Sequence, residues 1–189
     1  MHGFLREAVA KFYAPSSSKV KTIGITGTNG KTTACYVIAH ILKCAGFPSG
    51  IIGTIACHIG DEIYPSLNTT PGFVETHQWL SRMAREKMDY CAMEVSSHAL
   101  DQGRVDLIDF TCAVFTNLTD EHLDYHKSKE DYFLAKAKLF TNLPSTAHAV
   151  INADDPYGRR LMKMSKGKIL TYAIDQPADI KAQDCRLGI

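Results

Sequence analysis

Ile23-Gly24-Ile25-Thr26-Gly27-Thr28-Asn29-Gly30-Lys31-Thr32-Thr33 is the stretch that decides how this chain of 189 residues folds. The run before it, Val20 to Thr26, reads as a buried strand, and the run Lys31 to Cys44, ended by Ala45-Gly46, reads as a helix. The glycine-rich segment is therefore a strand-to-helix turn. Gly27 and Gly30 let the backbone curl so that successive N–H groups point inward at phosphate oxygens. Lys31 places a cation on the outer phosphates, and Thr32 or Thr33 offers a hydroxyl to Mg²⁺. The spacing departs from the general G-x-x-x-x-G-K-[ST] form, since Ile25 stands where its first glycine is expected and Gly24 sits one place earlier. Strand before, helix after and G-K-T-T at the junction make Gly27, Thr28, Asn29, Gly30, Lys31, Thr32 and Thr33 a candidate nucleotide site.

Outward from this turn the pattern alternates strand and helix. Strands are expected at Gly50–Thr54, Asp89–Val95, Thr111–Thr116, Ala147–Asn152 and Lys168–Ala173. A hairpin is expected over Ile55–Tyr64, turning at Gly60-Asp61. Helices are expected from Pro71 to about Lys87 with Thr70 as cap, over Ser128–Leu143 with Ser128 as cap, and over Pro156–Met164. This alternation predicts an α/β fold with a mostly parallel sheet, helices on both faces and a small antiparallel element. Such sheets carry their chemistry at the carboxyl ends of strands. The polar segments Gly27–Lys31, Glu94–His98 and Asn117–Asp124 fall at those ends. Upstream, Met1 to Pro15 has apolar residues at roughly helical spacing and lacks the continuous apolar core of a signal peptide. Residues 1–18 read as a packing helix and a Pro15-Ser16-Ser17-Ser18 linker, and residues 19–189 as one nucleotide-binding domain.

Composition narrows the function classes. The formal net charge is +1, with 21 Lys+Arg against 20 Asp+Glu, so the basic excess of a nucleic-acid binder is missing. Phosphate recognition must be local. The six cysteines lack any C-x-x-C pair, and several lie in apolar runs, as expected of reduced core thiols in a cytoplasmic protein. No apolar run approaches the length of a membrane span.

The variant G-I-T-G-T-N-G-K-T-T resembles the phosphate loop of Mur ligases and folylpolyglutamate synthases. Further stretches, in order, resemble the MurE-type Mur ligases in particular. They are Asn68-Thr69-Thr70-Pro71, then Glu94-Val95-Ser96-Ser97-His98-Ala99-Leu100 with Gln102 and Arg104, and then Asn117 to His126. Tyr132 to Phe140 and Asn152-Ala153-Asp154-Asp155 complete the series. The likeness runs from about Phe12 to the end of the chain. In the Asn117 to His126 block the family's D-H pair reads Glu121-His122. The family's N-terminal uridine-nucleotide domain and C-terminal amino-acid domain have no counterpart in this sequence, and the central domain itself is expected to be incomplete at its C-terminal end.

The resemblance implies an ATP-dependent amide ligase of peptidoglycan precursor synthesis. The D-glutamate carboxylate of UDP-MurNAc-L-Ala-D-Glu would form an acyl phosphate, which the amine of diaminopimelate or lysine would displace. It implies ATP-binding by the Gly27–Thr33 loop and catalytic roles for Lys31, Lys136 and His122. Mg²⁺ would be held by Thr32, Glu94, His122 and Lys136. Asn68, Thr69, Thr70, Ser96, Gln102 and Arg104 would contact the UDP-MurNAc-dipeptide, with Arg104 suited to pair with a phosphate or carboxylate through its forked donors. Lys136 lies one turn from both Tyr132 and Phe140, and desolvation beside aromatics favours the neutral amine. The resemblance implies an N-carboxylated lysine there, bridging to Mg²⁺. On the residues alone, without the resemblance, the favoured reading is a lysine whose head reaches water.

Competing readings are distinguishable by motif. A folylpolyglutamate synthase carries G-K-G-S where this chain has Gly30-Lys31-Thr32-Thr33, and lacks the E-V-S-S-H block. A zinc site at His122 and His126 lacks the glutamate of H-E-x-x-H, and Ser96-Ser97-His98 lacks the G-x-S-x-G elbow of a hydrolase. A truncated module that holds nucleotide without ligating is the remaining alternative. The expected protein is a cytoplasmic monomer without nucleic-acid or membrane partners.

Overall fold

The computed structural model describes residues 3–119 and 125–185. In chain order the elements are α1 (Gly3–Phe12), α2 (Ala14–Ser17), β1 (Lys21–Thr26), α3 (Lys31–Cys44), β2 (Ser49–Ile52), β3 (Ala56–Ile59) and β4 (Glu62–Pro65). Then come α4 (Phe73–Arg85), β5 (Tyr90–Glu94), α5 (Ser97–Asp101), β6 (Phe110–Phe115), α6 (Lys129–Thr141), β7 (His148–Asn152), α7 (Pro156–Met164), β8 (Lys168–Ala173) and β9 (Ile180–Lys181). The strands form a nine-stranded sheet in the order β4-β3-β2-β5-β1-β6-β7-β8-β9. Pairing is parallel from β2 through β9 and antiparallel at β2–β3–β4. The small antiparallel element is therefore the hairpin turning at Gly60-Asp61.

Strand periodicity sorts the core onto two faces. On one face Ile51 of β2 and Ala92 of β5 pack with Cys35 and Ala39 of α3. Their strand neighbours Ile52, Cys91 and Met93 point the other way, into a larger cluster with Leu80 and Met83 of α4, Phe133 and Phe140 of α6 and Leu161 of α7. Handedness accounts for the split. The β1-to-β2 crossover runs toward β4, whereas those into β5, β6, β7 and β8 run the opposite way, so right-handed connections place α3 alone across the sheet from the rest. Tyr132, Phe133 and Phe140 of α6 are all almost fully buried, each contributing roughly 1.5–3 kcal/mol through burial.

Several boundaries differ from the sequence expectation. The linker at 15–18 is largely a helical turn, α2, which packs on α4 and leads through Lys19 and Val20 into β1. Helix α4 starts at Phe73 with Gly72 at the cap position and no side-chain cap. Thr70 is not the cap because its hydroxyl is engaged elsewhere, donating to the Glu94 carbonyl (2.8 Å) and accepting from the Ser96 amide (3.0 Å). Strand β2 stops at Ile52, since Gly53-Thr54 turns to wrap a carboxylate described below. Helix α5 and strand β9 have no counterpart among the expected elements. The caps at Ser128 and Asp155 form as helix-start chemistry dictates, each accepting from amides in the first turn.

The thiols follow the same burial logic. Burial pushes Cys57 and Cys112 up to about 11 and raises Cys35 and Cys91 further still, whereas Cys44 and Cys185 are exposed. Native labelling with iodoacetamide at pH 8 is expected to modify Cys44 and Cys185 and to spare the other four until denaturant is added, read by intact mass. No described helix is long and apolar enough to cross a membrane.

Candidate active site

The register aligns three loop starts. Ile25 pairs with Glu94, and Thr26 with Phe115, so the carboxyl ends of β5, β1 and β6 open side by side at one edge of the sheet. From β1 the chain enters the loop Gly27–Gly30. Gly27 has φ 149° and Gly30 φ 84°, in the region that L side chains rarely adopt. A Cβ on Gly27 would also run into the Thr116 hydroxyl. Helix α3 then begins with no side-chain cap, so its N-terminal amides and dipole face the loop mouth. The amides of Thr28 and Asn29 are used differently. They donate to Asn117, to its carbonyl (2.8 Å) and its Oδ1 (3.0 Å), which holds the loop in its curl.

Two lysines converge on this loop. Lys31 Nζ donates to the carbonyls of Gly27 (2.9 Å) and Thr28 (2.7 Å). Lys136 Nζ donates to the same Gly27 carbonyl (2.9 Å) across 109 residues of sequence. Lys136 is 1% exposed, and its amine lies 4.4 Å from the centroid of the Tyr132 ring. The water-reaching alternative therefore does not describe it, while Lys138 is exposed and paired with Asp101.

Glu94, 1% exposed at the end of β5, is the site's buried carboxylate. Its oxygens accept from the Thr32 hydroxyl (2.9 Å to each), the Thr54 amide (2.8 Å) and the Thr54 hydroxyl (3.2 Å). Of the two candidate threonines, Thr32 faces the carboxylate and Thr33 is exposed. A buried anion ringed by neutral donors, with a threonine hydroxyl against it, is a hard-oxygen donor set of the kind Mg²⁺ takes. Gly53 and Thr54 were expected only as the end of a strand, with no role in the site. The signal was there: they follow β2 at the same sheet edge as the other loops. A Cβ on Gly53 would overlap Glu94 Oε1. Gly53→Ala is expected to lower stability by about 1–3 kcal/mol through this overpacking, measured by denaturant unfolding. It should also displace the Glu94 carboxylate.

A cavity of about 260 Å³ joins these groups to the neighbouring loops, bringing Asn68, Thr69, Thr70, Ser96 and Arg104 together with Lys31 and Lys136. Ser97 and His98, not chosen as site residues from the sequence, line it too. Ser96 caps α5 by accepting from the Ala99 amide (3.1 Å). Gln102 stands outside the cavity lining and accepts from Arg104 Nε (2.8 Å), while Arg104 Nη1 donates to the Thr70 carbonyl (3.0 Å). Gln102 thus orients the arginine. His122 lies outside the described residues, and no cluster of three or more His, Cys, Asp or Glu suited to a metal occurs among the described ones.

Three comparisons relate this chain to known proteins. A family model described as the Mur ligase middle domain matches residues 25–188. The UDP-N-acetylmuramoyl-L-alanyl-D-glutamate--2,6-diaminopimelate ligase 1 of Clostridium acetobutylicum is 46% identical over 178 residues, covering 94% of this chain and 36% of its own length. The corresponding Aquifex aeolicus ligase is 44% identical over 182 residues, covering 96% and 37%. A solved structure of such a diaminopimelate ligase superposes with TM-score 0.78 at 35% identity, covering 86% of this chain and 34% of that one. The chain thus spans little more than a third of the relatives it matches.

Proposed function

Because this chain belongs to the Mur ligase family through its middle domain, we propose that it carries the ATP-dependent step by which a MurE-type ligase extends UDP-MurNAc-L-Ala-D-Glu with diaminopimelate. The observation that carries the reading is the convergence of Lys31 and Lys136 on Gly27 beside the uncapped start of α3. An anionic carboxylate must approach an anionic triphosphate, so charge neutralisation and positioning are the main demands on the protein. The triphosphate lies along the amides at the start of α3, with Lys31 leaving its loop carbonyls for the outer phosphates. The dipeptide lies in the adjoining cavity, its carboxylate toward the γ-phosphate and Arg104 pairing with a phosphate or carboxylate of the substrate.

A D-glutamate carboxylate oxygen attacks the γ-phosphorus and the bond to the ADP oxygen breaks. The diaminopimelate amine then attacks the acyl carbon, inorganic phosphate leaves, and the amine loses a proton. Mg²⁺ held by Thr32 and Glu94, together with His122 and an N-carboxylated Lys136, would supply Lewis-acid stabilisation of phosphate charge. The protein acts as a cytoplasmic monomer, consistent with its nucleotide-linked substrate and buried thiols.

Phosphate release from ATP, measured with and without the dipeptide substrate and diaminopimelate, tests the reading. Release that requires both substrates is expected of the whole ligase. ATP binding by this chain with no release in any setting would make it a nucleotide-holding module. Release supported by dihydropteroate and glutamate instead would shift the assignment to the folate ligases.

A further inference from the structure

The Asn152-Ala153-Asp154-Asp155 stretch, at the corner between β7 and α7, takes no part in the proposed chemistry. It nevertheless holds the strand end on which the phosphate loop rests. The Tyr172 hydroxyl, from β8, donates to the Phe115 carbonyl (3.1 Å). Asn152 Nδ2 donates to the Thr116 carbonyl (2.8 Å). Asp155 Oδ2 accepts from the Leu118 amide (2.8 Å), 37 residues away in sequence. The segment fixed at these three points is the one that grips the phosphate loop. Besides accepting from the Thr28 and Asn29 amides through Asn117, it sends the Thr116 hydroxyl to the Asn29 carbonyl (2.6 Å), and the Thr119 amide donates to the Thr28 hydroxyl (2.9 Å).

Asp155 divides its carboxylate between two tasks. Oδ1 caps α7, accepting from Tyr157 (2.7 Å) and Gly158 (3.2 Å). A cap alone needs one acceptor, and serine or asparagine serves as well as aspartate. The second oxygen is what an aspartate adds, and it goes to the Leu118 amide. Leu118 is buried, where a backbone N–H without an acceptor is costly. Nothing in the helix-cap role calls for this second contact.

We propose that Asp155 is a positioning residue for the nucleotide, fixing segment 115–119 so that Asn117 and Thr116 hold Thr28-Asn29 in the phosphate-binding curl. This rests on the reading of Gly27–Thr33 as the ATP site. Asp155→Asn separates the two tasks, because the asparagine oxygen still caps α7 while its NH₂ group faces the Leu118 amide. The expected result is a rise of about tenfold in the Kd for ATP with Mg²⁺, in the range of couplings between contacting groups. Amide hydrogen exchange at Thr28 and Asn29 should quicken by a similar factor while that at Ile23 and Ile25 in β1 stays unchanged, a readout that a cap role alone would not move. Tyr172→Phe, which removes one hydroxyl, should move both measurements in the same direction by a smaller factor, and it carries the test should Asp155→Asn fail to fold. Unchanged ATP affinity with unchanged exchange at Thr28 and Asn29 would overturn the proposal. Failure of the unsubstituted chain to bind ATP would overturn the nucleotide reading instead, and the exchange rates would still judge the brace.

Discussion

Lys31→Ala is expected to weaken ATP binding by about 10- to 100-fold and to abolish measurable dipeptide-dependent phosphate release. The magnitude follows from losing a charge-assisted hydrogen bond to phosphate, worth about 1.5–3 kcal/mol. The same amine donates to the carbonyls of Gly27 and Thr28, so the substitution also removes two internal hydrogen bonds. Net, each contributes about 1 kcal/mol to folding. The unfolding midpoint should therefore fall modestly while ATP affinity falls steeply. Isothermal titration and a denaturant melt on the same sample separate the two effects. Equal ATP affinity in variant and parent would remove Lys31 from the phosphate site.

Lys136→Met is expected to leave ATP binding within a few-fold and to lower phosphate release by about 10²–10³, the scale of removing one preorganised electrostatic group from a reaction centre. Methionine matches the length of the lysine stem beside Tyr132, so the fully buried position stays filled. The substitution removes the amine, and with it both the contact to Gly27 and any N-carboxylation. If the carbamate is formed, parent activity should also depend on dissolved bicarbonate, and the variant should show no such dependence. Activity of the variant comparable to the parent would reduce Lys136 to a structural prop of the loop.

The phosphate loop was legible in sequence because one local rule governs it: glycines where φ is positive, lysine and threonine at the start of a helix. The parallel sheet was legible from strand–helix alternation, and the hairpin from Gly60-Asp61. What escaped the sequence was relational. Thr70 looked like a helix cap by spacing alone. The fold instead brings β5 beside it and engages its hydroxyl with the Glu94 carbonyl and the Ser96 amide. Gly53 and Thr54 stood at a strand end like the other loops, but their task comes from Glu94, 40 residues beyond Thr54. Gln102 was expected to touch substrate, and what sequence could not show is that its oxygen accepts from Arg104. Lys136 is the intermediate case: helical spacing put it beside Tyr132, but only the packed helix α6 shows that its amine ends on Gly27.

Burial of ionisable side chains makes the same point. Glu94 and Lys136 are each 1% exposed, and side chains of their types are almost never fully buried unless paired. Both end at the mouth where the strands β5, β1 and β6 open. Here Glu94 is met by the Thr32 hydroxyl and the Thr54 amide, and Lys136 by the Gly27 carbonyl.

Calorimetric titration of the folded chain with ATP in the presence of Mg²⁺ tests the central claim most directly. The account predicts saturable heat at one site per chain, diminished in Lys31→Ala and accompanied by a higher melting temperature with ATP than without. A flat titration together with an ATP-independent melting temperature would contradict it.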